Sequence, residues 1–219
     1  MKEREMEMER LMKEIEEYAS NADRASGTLF PRLQVVKRIK VIFSDVDGVL
    51  TNNQVLEGAP FKGKWRSHSD GQGVSLLRDI GIRVAFITNE SDDSAKLIKD
   101  TVEKWNNLPS SSKIPNDDGW AHVGIFTGVG GKRKVEAAEI FLEKFNLTFD
   151  DAAAMGDDLA DIPLLRAVNF SATPASGEYV VRKMVDFISR RRGGEGALRD
   201  FVNFILLVRG IDPTTRRFQ

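Results

Sequence analysis

From residue 39 onward, short apolar runs alternate with amphipathic stretches along the chain. Apolar runs bounded by turn residues, such as KVIFSDV, RVAFITN and AAAMGDD, predict buried strands. The spacing of Ala138, Phe141, Leu142 and Phe145 predicts a helix instead. Because strands and helices alternate, we predict an α/β fold, in which a Rossmann-like parallel sheet carries helices on both faces.

Two segments depart from this alternation. Residues 50–68 are polar and predict a small β-hairpin, with Gly58, Pro60 and Gly63 at its turn. Residues 106–119 predict a long surface loop, a kind of segment that is either functional or mobile.

The first 31 residues have a different texture. Residues 1–20 are mostly charged, and their apolar residues recur at spacings of three and four: Met8, Leu11, Ile15 and Tyr18. This pattern predicts a short helix that either docks on its own domain or serves as an oligomerising arm. Small and polar residues at 21–31 are typical of a linker. We therefore divide the chain into a helical extension with its linker, 1–31, and a main domain, 32–219.

Composition narrows the classes of partner. The 219 residues include 32 Lys and Arg against 33 Asp and Glu, so the charge lacks the excess typical of nucleic-acid or anionic-membrane binders. Cysteine is absent, which excludes disulfides and thiolate metal sites. No apolar run approaches a membrane span, and the N-terminus is too charged for a signal peptide. We expect a cytoplasmic protein that binds neither nucleic acid nor membrane.

Aspartates follow two of the predicted strands. Asp45 and Asp47 come after VIFS, and Asp157, Asp158 and Asp161 come after AAAM. Residues i and i+2 of an extended strand point the same way, so we expect Asp45 and Asp47 to converge on one side. A single such cluster is most often a helix cap or a solvated turn. Two clusters beside glycines, at strand ends where α/β sheets place ligands, predict a site.

The ligand chemistry follows from the oxygen donors. Carboxylates favour Mg²⁺ over Zn²⁺, and a metal between Asp45 and Asp157 would keep Asp45 ionised as a nucleophile. Phosphorus is the electrophile that fits best. Thr88 and Asn89, after RVAFI, offer a hydroxyl and turn amides to a phosphate. A lysine at the start of the helix KVEAAEIFLEKF would pair with the negative charge of this phosphate. We favour Lys134 for this role, and Lys132 is the competing candidate.

These motifs, in this order, resemble the haloacid dehalogenase (HAD) phosphohydrolase superfamily. The resemblance rests on DVDGVLT, ITN, a lysine opening a later helix and GDDLAD, and it runs from about Ile39 to Val208. SDG at 69–71 and RGGEGALR at 192–199 are also similar to family segments. The small hairpin and the lack of a large inserted cap look like the capless branch, which acts on phosphates of acidic 3-deoxy sugars. The resemblance thus implies a HAD-type fold and a phosphoric monoester hydrolase.

The resemblance also implies roles for the residues. Asp45 would be the nucleophile that forms an aspartyl-phosphate, and Asp47 the general acid that later becomes the base. Mg²⁺ would be held by Asp45, the Asp47 carbonyl and Asp157, supported from outside by Asp158 and Asp161. The groups that hold the phosphoryl group would be Thr88, the Asn89 amide and Lys134.

Two branches compete for the substrate. Phosphatases for 3-deoxy-D-manno-octulosonate 8-phosphate usually have ITGR and GGRG, whereas this chain has a glutamate in both places, Glu90 and Glu195. This looks more like the nine-carbon branch, which acts on 2-keto-3-deoxynonulosonate 9-phosphate or a sialic acid 9-phosphate. Glu90 would then bind sugar hydroxyls or an amine, although it also suits a helix N-terminus. The eight-carbon substrate is the alternative.

A different class of function is also open. Related domains fused to sialic acid cytidylyltransferases are non-catalytic oligomerisation modules, but a degenerate module would be expected to lose the aspartates that this chain keeps. A phosphomutase would normally need a larger cap. By resemblance we expect a homotetramer, in which a neighbour's tail helps to close the site. The basic run 190–192 either meets the acidic sugar in this way or forms a solvated basic turn.

Overall fold

The computed structural model describes residues 29–58, 61–108 and 122–215, together with residues 9, 10 and 13, which are helical. The rest of the predicted N-terminal helix lies outside the described residues, as does most of the predicted loop 106–119. Among the described helices, none has the length and apolar character needed to cross a bilayer.

The described ranges contain seven α-helices and eight strands, with short 3₁₀ turns at 149–151, 159–161 and 213–215. The helices are α1 (Leu29–Arg38), α2 (His68–Asp79), α3 (Lys96–Asn106), α4 (Lys132–Glu143), α5 (Ile162–Ala167), α6 (Tyr179–Arg182) and α7 (Ala197–Val208). The strands are β1 (Val41–Ser44), β2 (Thr51–Gly58), β3 (Phe61–Arg66), β4 (Arg83–Ile87), β5 (Gly124–Phe126), β6 (Ala152–Met155), β7 (Phe170–Thr173) and β8 (Phe187–Ile188).

Six strands form one parallel sheet in the order β5-β4-β1-β6-β7-β8. Strand β1 lies in the interior of the sheet, where Ile42 pairs with Val84 of β4 and with Ala153 of β6. The chain leaves β1 first toward β4 and β5 and then crosses back to β6. The strand order therefore reverses between β1 and β6, the position at which open α/β sheets bind ligands.

Both faces of the sheet are covered, because side chains alternate along β1. Phe43 points into a core with Phe141 and Leu142 of α4, whereas Ile42 points into a second core with Leu77 of α2 and Phe201 of α7. The predicted parallel sheet with helices on both faces is thus confirmed.

Strands β2 and β3 form the separate antiparallel hairpin that the sequence predicts. Gly58 pairs with Phe61 and Leu56 pairs with Gly63. The placement of Gly63 at the turn was wrong, because this glycine lies within β3. The hairpin is the flap that stands over the carboxyl end of β1.

The first described helix begins earlier than the predicted main domain. Helix α1 starts at Leu29, inside the segment interpreted as a linker, and buries Leu33 and Val36 in the core shared with α7. The division into 1–31 and 32–219 stays a prediction.

Candidate active site

The candidate site lies where β1 and β6 end side by side. Asp45 follows β1 directly, and its backbone N–H donates to the carbonyl of Met155 at 2.9 Å. The chain then turns, because the N–H groups of Leu50 and Thr51 both donate to the Val46 carbonyl. Asp47 therefore lies in a turn, and the strand alternation assumed for Asp45 and Asp47 does not hold.

Three aspartates converge at these strand ends. Carboxylate oxygens of Asp45, Asp157 and Asp161 lie within 4.8 Å of one another. The backbone of Gly48 is packed against the Asp157 carboxylate, so a Cβ at Gly48 would lie 1.8 Å from Asp157 Oδ2. Gly156 is packed in the same way against Asp161, so a Cβ at Gly156 would lie 2.4 Å from Asp161 Cβ. The two glycines thus let the carboxylates approach the backbone.

Lys134 neutralises part of this negative charge. Its Nζ lies 2.6 Å from Asp161 Oδ1 and 3.0 Å from Asp45 Oδ1, and the residue is 1% exposed. Helix α4 begins at Lys132, so Lys134 belongs to its first turn. Lys132 is exposed, and of the two candidate lysines it is Lys134 that lies in the acidic cluster.

The remaining aspartates organise the turn after β6. Asp161 Oδ2 accepts the backbone N–H groups of Asp157 at 2.9 Å and of Asp158 at 3.2 Å. Asp158 is exposed and caps the 3₁₀ turn by accepting from Leu159 N–H. Both oxygens of Asp161 are thus engaged within the protein, and its contribution is to hold Asp157 and Lys134 in place.

Burial and mutual repulsion disfavour charge on the carboxylates. Burial first, and then the charge of Asp161, raise the pKa of Asp45 well above its usual value, against the opposing effect of Lys134. Burial, Asp161 and Asp158 raise the pKa of Asp157 to about 7. Burial alone would lower the pKa of Lys134, but Asp45 and Asp161 more than offset it, so this pKa is raised.

The arrangement fits Mg²⁺. Asp45 and Asp157 supply oxygen donors only, which are the ligands that this ion prefers. A divalent cation between them would relieve the repulsion that raises their pKa values. Asp45 Oδ1 already receives the Val46 N–H at 2.7 Å and Lys134, so its other oxygen is the one suited to bind a metal or to attack.

The end of β4 supplies the neighbouring groups. Thr88 is buried, its Oγ1 accepts the Glu90 N–H at 3.1 Å, and its carbonyl accepts the Val129 N–H at 2.9 Å. Asn89 is exposed, and its side-chain oxygen packs against Gly130, where a Cβ would lie 2.6 Å away. The glycine-rich turn 128–131 therefore fits closely around the loop that holds both residues.

Lys64 is a residue that the sequence reasoning missed. It projects from β3 of the hairpin, with Nζ 2.7 Å from Asp47 Oδ1 and 3.5 Å from Glu90 Oε1. No local pattern singles out Lys64, since its approach to the site depends on the register of the hairpin. A small cavity of about 20 Å³ beside these residues is lined by Asp47, Lys64 and Glu90, and also by Leu50 and Leu97.

The segment after β8 braces the turn that follows Asp47. Gly194 N–H donates to the Val49 carbonyl at 3.0 Å, and a Cβ at Gly193 would lie 1.8 Å from the Gly48 carbonyl oxygen. In the basic run before it, Arg190 N–H donates to Asp200. The brace comes from the same chain, and the predicted contribution of a neighbour's tail stays a prediction.

Comparisons with known proteins identify the family of the chain. The model of the haloacid dehalogenase-like hydrolases matches residues 76–198. The 3-deoxy-D-manno-octulosonate 8-phosphate phosphatase KdsC of Haemophilus influenzae is 28% identical over 157 residues, which are 71% of this chain and 76% of that protein.

Two solved structures are similar to this chain. A hypothetical protein from Xanthomonas campestris superposes with a TM-score of 0.71 and 27% identity, covering 85% of this chain and 91% of that one. The Moraxella catarrhalis 3-deoxy-D-manno-octulosonate 8-phosphate phosphatase, solved in complex with a magnesium ion, a phosphate ion and KDO, has a TM-score of 0.68 and 25% identity, covering 82% and 92%.

These findings confirm the predicted HAD-type fold, the prediction of a phosphoric monoester hydrolase and that of Mg²⁺ as its cofactor. The family match spans more than half of the chain and includes the turn that carries Asp157 and Asp161. The chain belongs to the haloacid dehalogenase-like hydrolases.

Proposed function

We propose that the protein is a Mg²⁺-dependent phosphatase that cleaves the phosphate monoester of an acidic 3-deoxy sugar, most specifically 3-deoxy-D-manno-octulosonate 8-phosphate. The observation that carries the chemistry is the set of Asp45, Asp157 and Asp161 around the buried Lys134. The similarity to eight-carbon phosphatases favours the alternative substrate over the nine-carbon one inferred from Glu90. We therefore place the eight-carbon acid first.

In the first step, the free carboxylate oxygen of Asp45 forms a bond to phosphorus while the bond from phosphorus to the sugar oxygen breaks. Lys134, with Thr88 and the Asn89 amide, stabilises the negative charge of the phosphoryl oxygens. Asp157 and the Asp47 carbonyl join Asp45 as the residues that would hold Mg²⁺, which, when bound, supplies neutralising positive charge beside the phosphoryl group.

Asp47 moves the protons. It gives a proton to the departing sugar oxygen, and its carboxylate then takes a proton from the water that attacks the aspartyl-phosphate. This second attack breaks the bond between phosphorus and the Asp45 oxygen, so inorganic phosphate leaves and Asp45 is regenerated. General acid–base catalysis of this kind contributes about 10²–10⁴-fold to the rate.

The surroundings of Glu90 weaken the inference that this glutamate indicates a nine-carbon substrate. Its carboxylate already faces the ammonium of Lys64 at 3.5 Å, so it has a partner within the chain before any sugar binds. A glutamate in this position is therefore explained without a sugar amine or hydroxyl group.

Phosphate release tests the proposal. The purified protein is assayed with Mg²⁺ on the eight-carbon 8-phosphate, the nine-carbon 9-phosphates and unrelated sugar phosphates. We expect preference for the eight-carbon acid, loss of turnover in EDTA, and loss in Asp45→Asn but not in the exposed Asp150→Asn. A nine-carbon preference would reverse the choice of substrate, and full activity of Asp45→Asn would overturn the mechanism.

A further inference from the structure

Lys64 joins three separate segments at the mouth of the site. It comes from the hairpin, Asp47 from the turn after β1, and Glu90 from the loop after β4. Although the hairpin is largely exposed, the Lys64 side chain is only 12% exposed. Its ammonium therefore lies in a fixed position between two carboxylates.

The two oxygens of Asp47 have different surroundings. Oδ1 accepts the Lys64 ammonium at 2.7 Å and the hydroxyl of the buried Thr51 at 3.0 Å. Oδ2 is buried and has no hydrogen-bond partner within the described part of the chain. Buried polar atoms are almost always partnered, so an unpartnered one indicates a position that a ligand completes.

We infer that Lys64 is the positioning residue for Asp47: it holds Oδ1 so that Oδ2 is the oxygen that exchanges a proton with the substrate. Glu90 acts through Lys64 by balancing its charge and fixing its ammonium, and does not select the sugar directly. This inference rests on the proposed function, because it assigns a geometry to the acid–base step of that reaction.

The inference extends to the role of the flap. Because Lys64 belongs to β3, Asp47 is aligned only when the hairpin lies over the site. A lysine that merely stabilised the hairpin would affect unfolding alone, whereas a positioning residue affects the step in which the leaving group takes a proton. Substrates whose leaving groups differ in their need for a proton therefore distinguish the two roles.

The test compares two substrates in Lys64→Met. A sugar alkoxide needs a proton to leave, whereas p-nitrophenolate leaves without one, and kcat/KM reports only the steps up to cleavage of that bond. Since misplacing a catalytic group by 1 Å can cost about 10²-fold, we expect kcat/KM for the sugar phosphate to fall about 10- to 100-fold. For p-nitrophenyl phosphate we expect a fall of less than about threefold, given that acid catalysis contributes little there.

Two further variants keep the test interpretable. Lys99→Met makes the same change at an exposed position of α3 and should leave both substrates unaffected. Lys64→Arg retains the charge and should recover part of the sugar-phosphate activity. Thermal unfolding of each variant establishes that it is folded. Equal losses on both substrates in folded Lys64→Met would overturn the inference.

A double-mutant cycle tests the place of Glu90. If Glu90 acts through Lys64, Glu90→Gln lowers kcat/KM for all sugar phosphates alike, and the double variant is no worse than Lys64→Met. Additive losses, or a Glu90→Gln effect confined to one sugar, would contradict this. Absence of phosphatase activity in the unmodified protein would instead remove the proposed function, so the two failures are distinguishable.

Discussion

Position 48 requires glycine for two reasons, its backbone conformation and its surroundings. Its φ of 81° lies in the left-handed region, and the Asp157 carboxylate occupies the space where a side chain would begin. A carboxylate of the same chain thus fills the space beside this glycine. One residue thus fixes the distance between the two strand ends.

Replacing Gly48 by alanine separates these two requirements. Gly81 has a similar φ of 78° but open space around it, so Gly81→Ala adds the backbone strain without a clash. We expect Gly81→Ala to lose about 1–2 kcal/mol of unfolding free energy and no activity. Gly48→Ala should lose at least as much stability and also most of its Mg²⁺-dependent turnover, because Asp157 is displaced. Urea unfolding and a Mg²⁺ titration of phosphate release measure both; wild-type Mg²⁺ dependence in Gly48→Ala would contradict the argument.

Asp70 makes a buried link between α2 and α7, since its Oδ1 accepts the Arg199 N–H at 2.9 Å. Burial raises the pKa of Asp70 from 3.8 to about 6. Between these pH values the Asp70 carboxyl is ionised in the unfolded chain but keeps its proton in the folded protein. The folded state then binds more protons, so stability contributed by this residue falls as pH rises from about 4 to above 6.

The size of this effect is measured against Asp70→Asn, which keeps an oxygen for Arg199 but does not titrate. A shift of about two pH units corresponds to roughly 3 kcal/mol. We therefore expect the unfolding free energy of the wild type, relative to Asp70→Asn, to decline by about 2–3 kcal/mol between pH 4 and pH 7. Denaturant unfolding at several pH values gives this difference, and a constant difference would show that Asp70 does not titrate in this range.

At the scale of elements, the site depends on the segment after β8 as much as on the strands. The Gly193–Gly194 pair lies against the turn 48–52, and no side chain fits between them. Gly193→Ala would push this segment away from the Gly48 carbonyl, at a cost of about 1–3 kcal/mol in stability. We expect kcat to fall at least tenfold, by phosphate release, whereas Gly58→Ala, which has open space, should be neutral. Undiminished kcat in Gly193→Ala would show that the brace is dispensable.

The elements also show what the sequence could and could not predict. Apolar runs such as VIFS and AAAM identified β1 and β6, because strands buried on both faces are continuously apolar. Asp45, Asp157 and Lys134 were found because strand ends and a helix start are visible in the local pattern. Lys64 was not found, since its position depends on the register of a hairpin and on which side of the hairpin faces the sheet. Local sequence patterns indicate neither the register of the hairpin nor the side that faces the sheet.

The whole molecule places its chemistry at one point of one sheet. In the sheet, β4 and β6 lie on opposite sides of β1. The carboxyl ends of these three strands therefore lie together, although they are far apart in sequence. The hairpin covers this point from outside, and its free surface is unusually apolar: Leu56 is 63% exposed and Trp65 is 69% exposed. Apolar side chains grouped on one small element are typical of an interface.

The homotetramer, which was predicted from the family resemblance alone, is tested at the scale of the whole molecule. We expect light scattering at micromolar concentration to give four times the 24.5 kDa of the chain. If hairpins form the interface, Trp65→Ser lowers the mass, because burying a large aromatic side chain stabilises association by about 1.5–3 kcal/mol. Ile140→Ser, at an equally exposed position of α4, should leave the mass unchanged. A monomeric wild type would contradict the tetramer, whereas a Trp65→Ser tetramer would move the interface away from the hairpin.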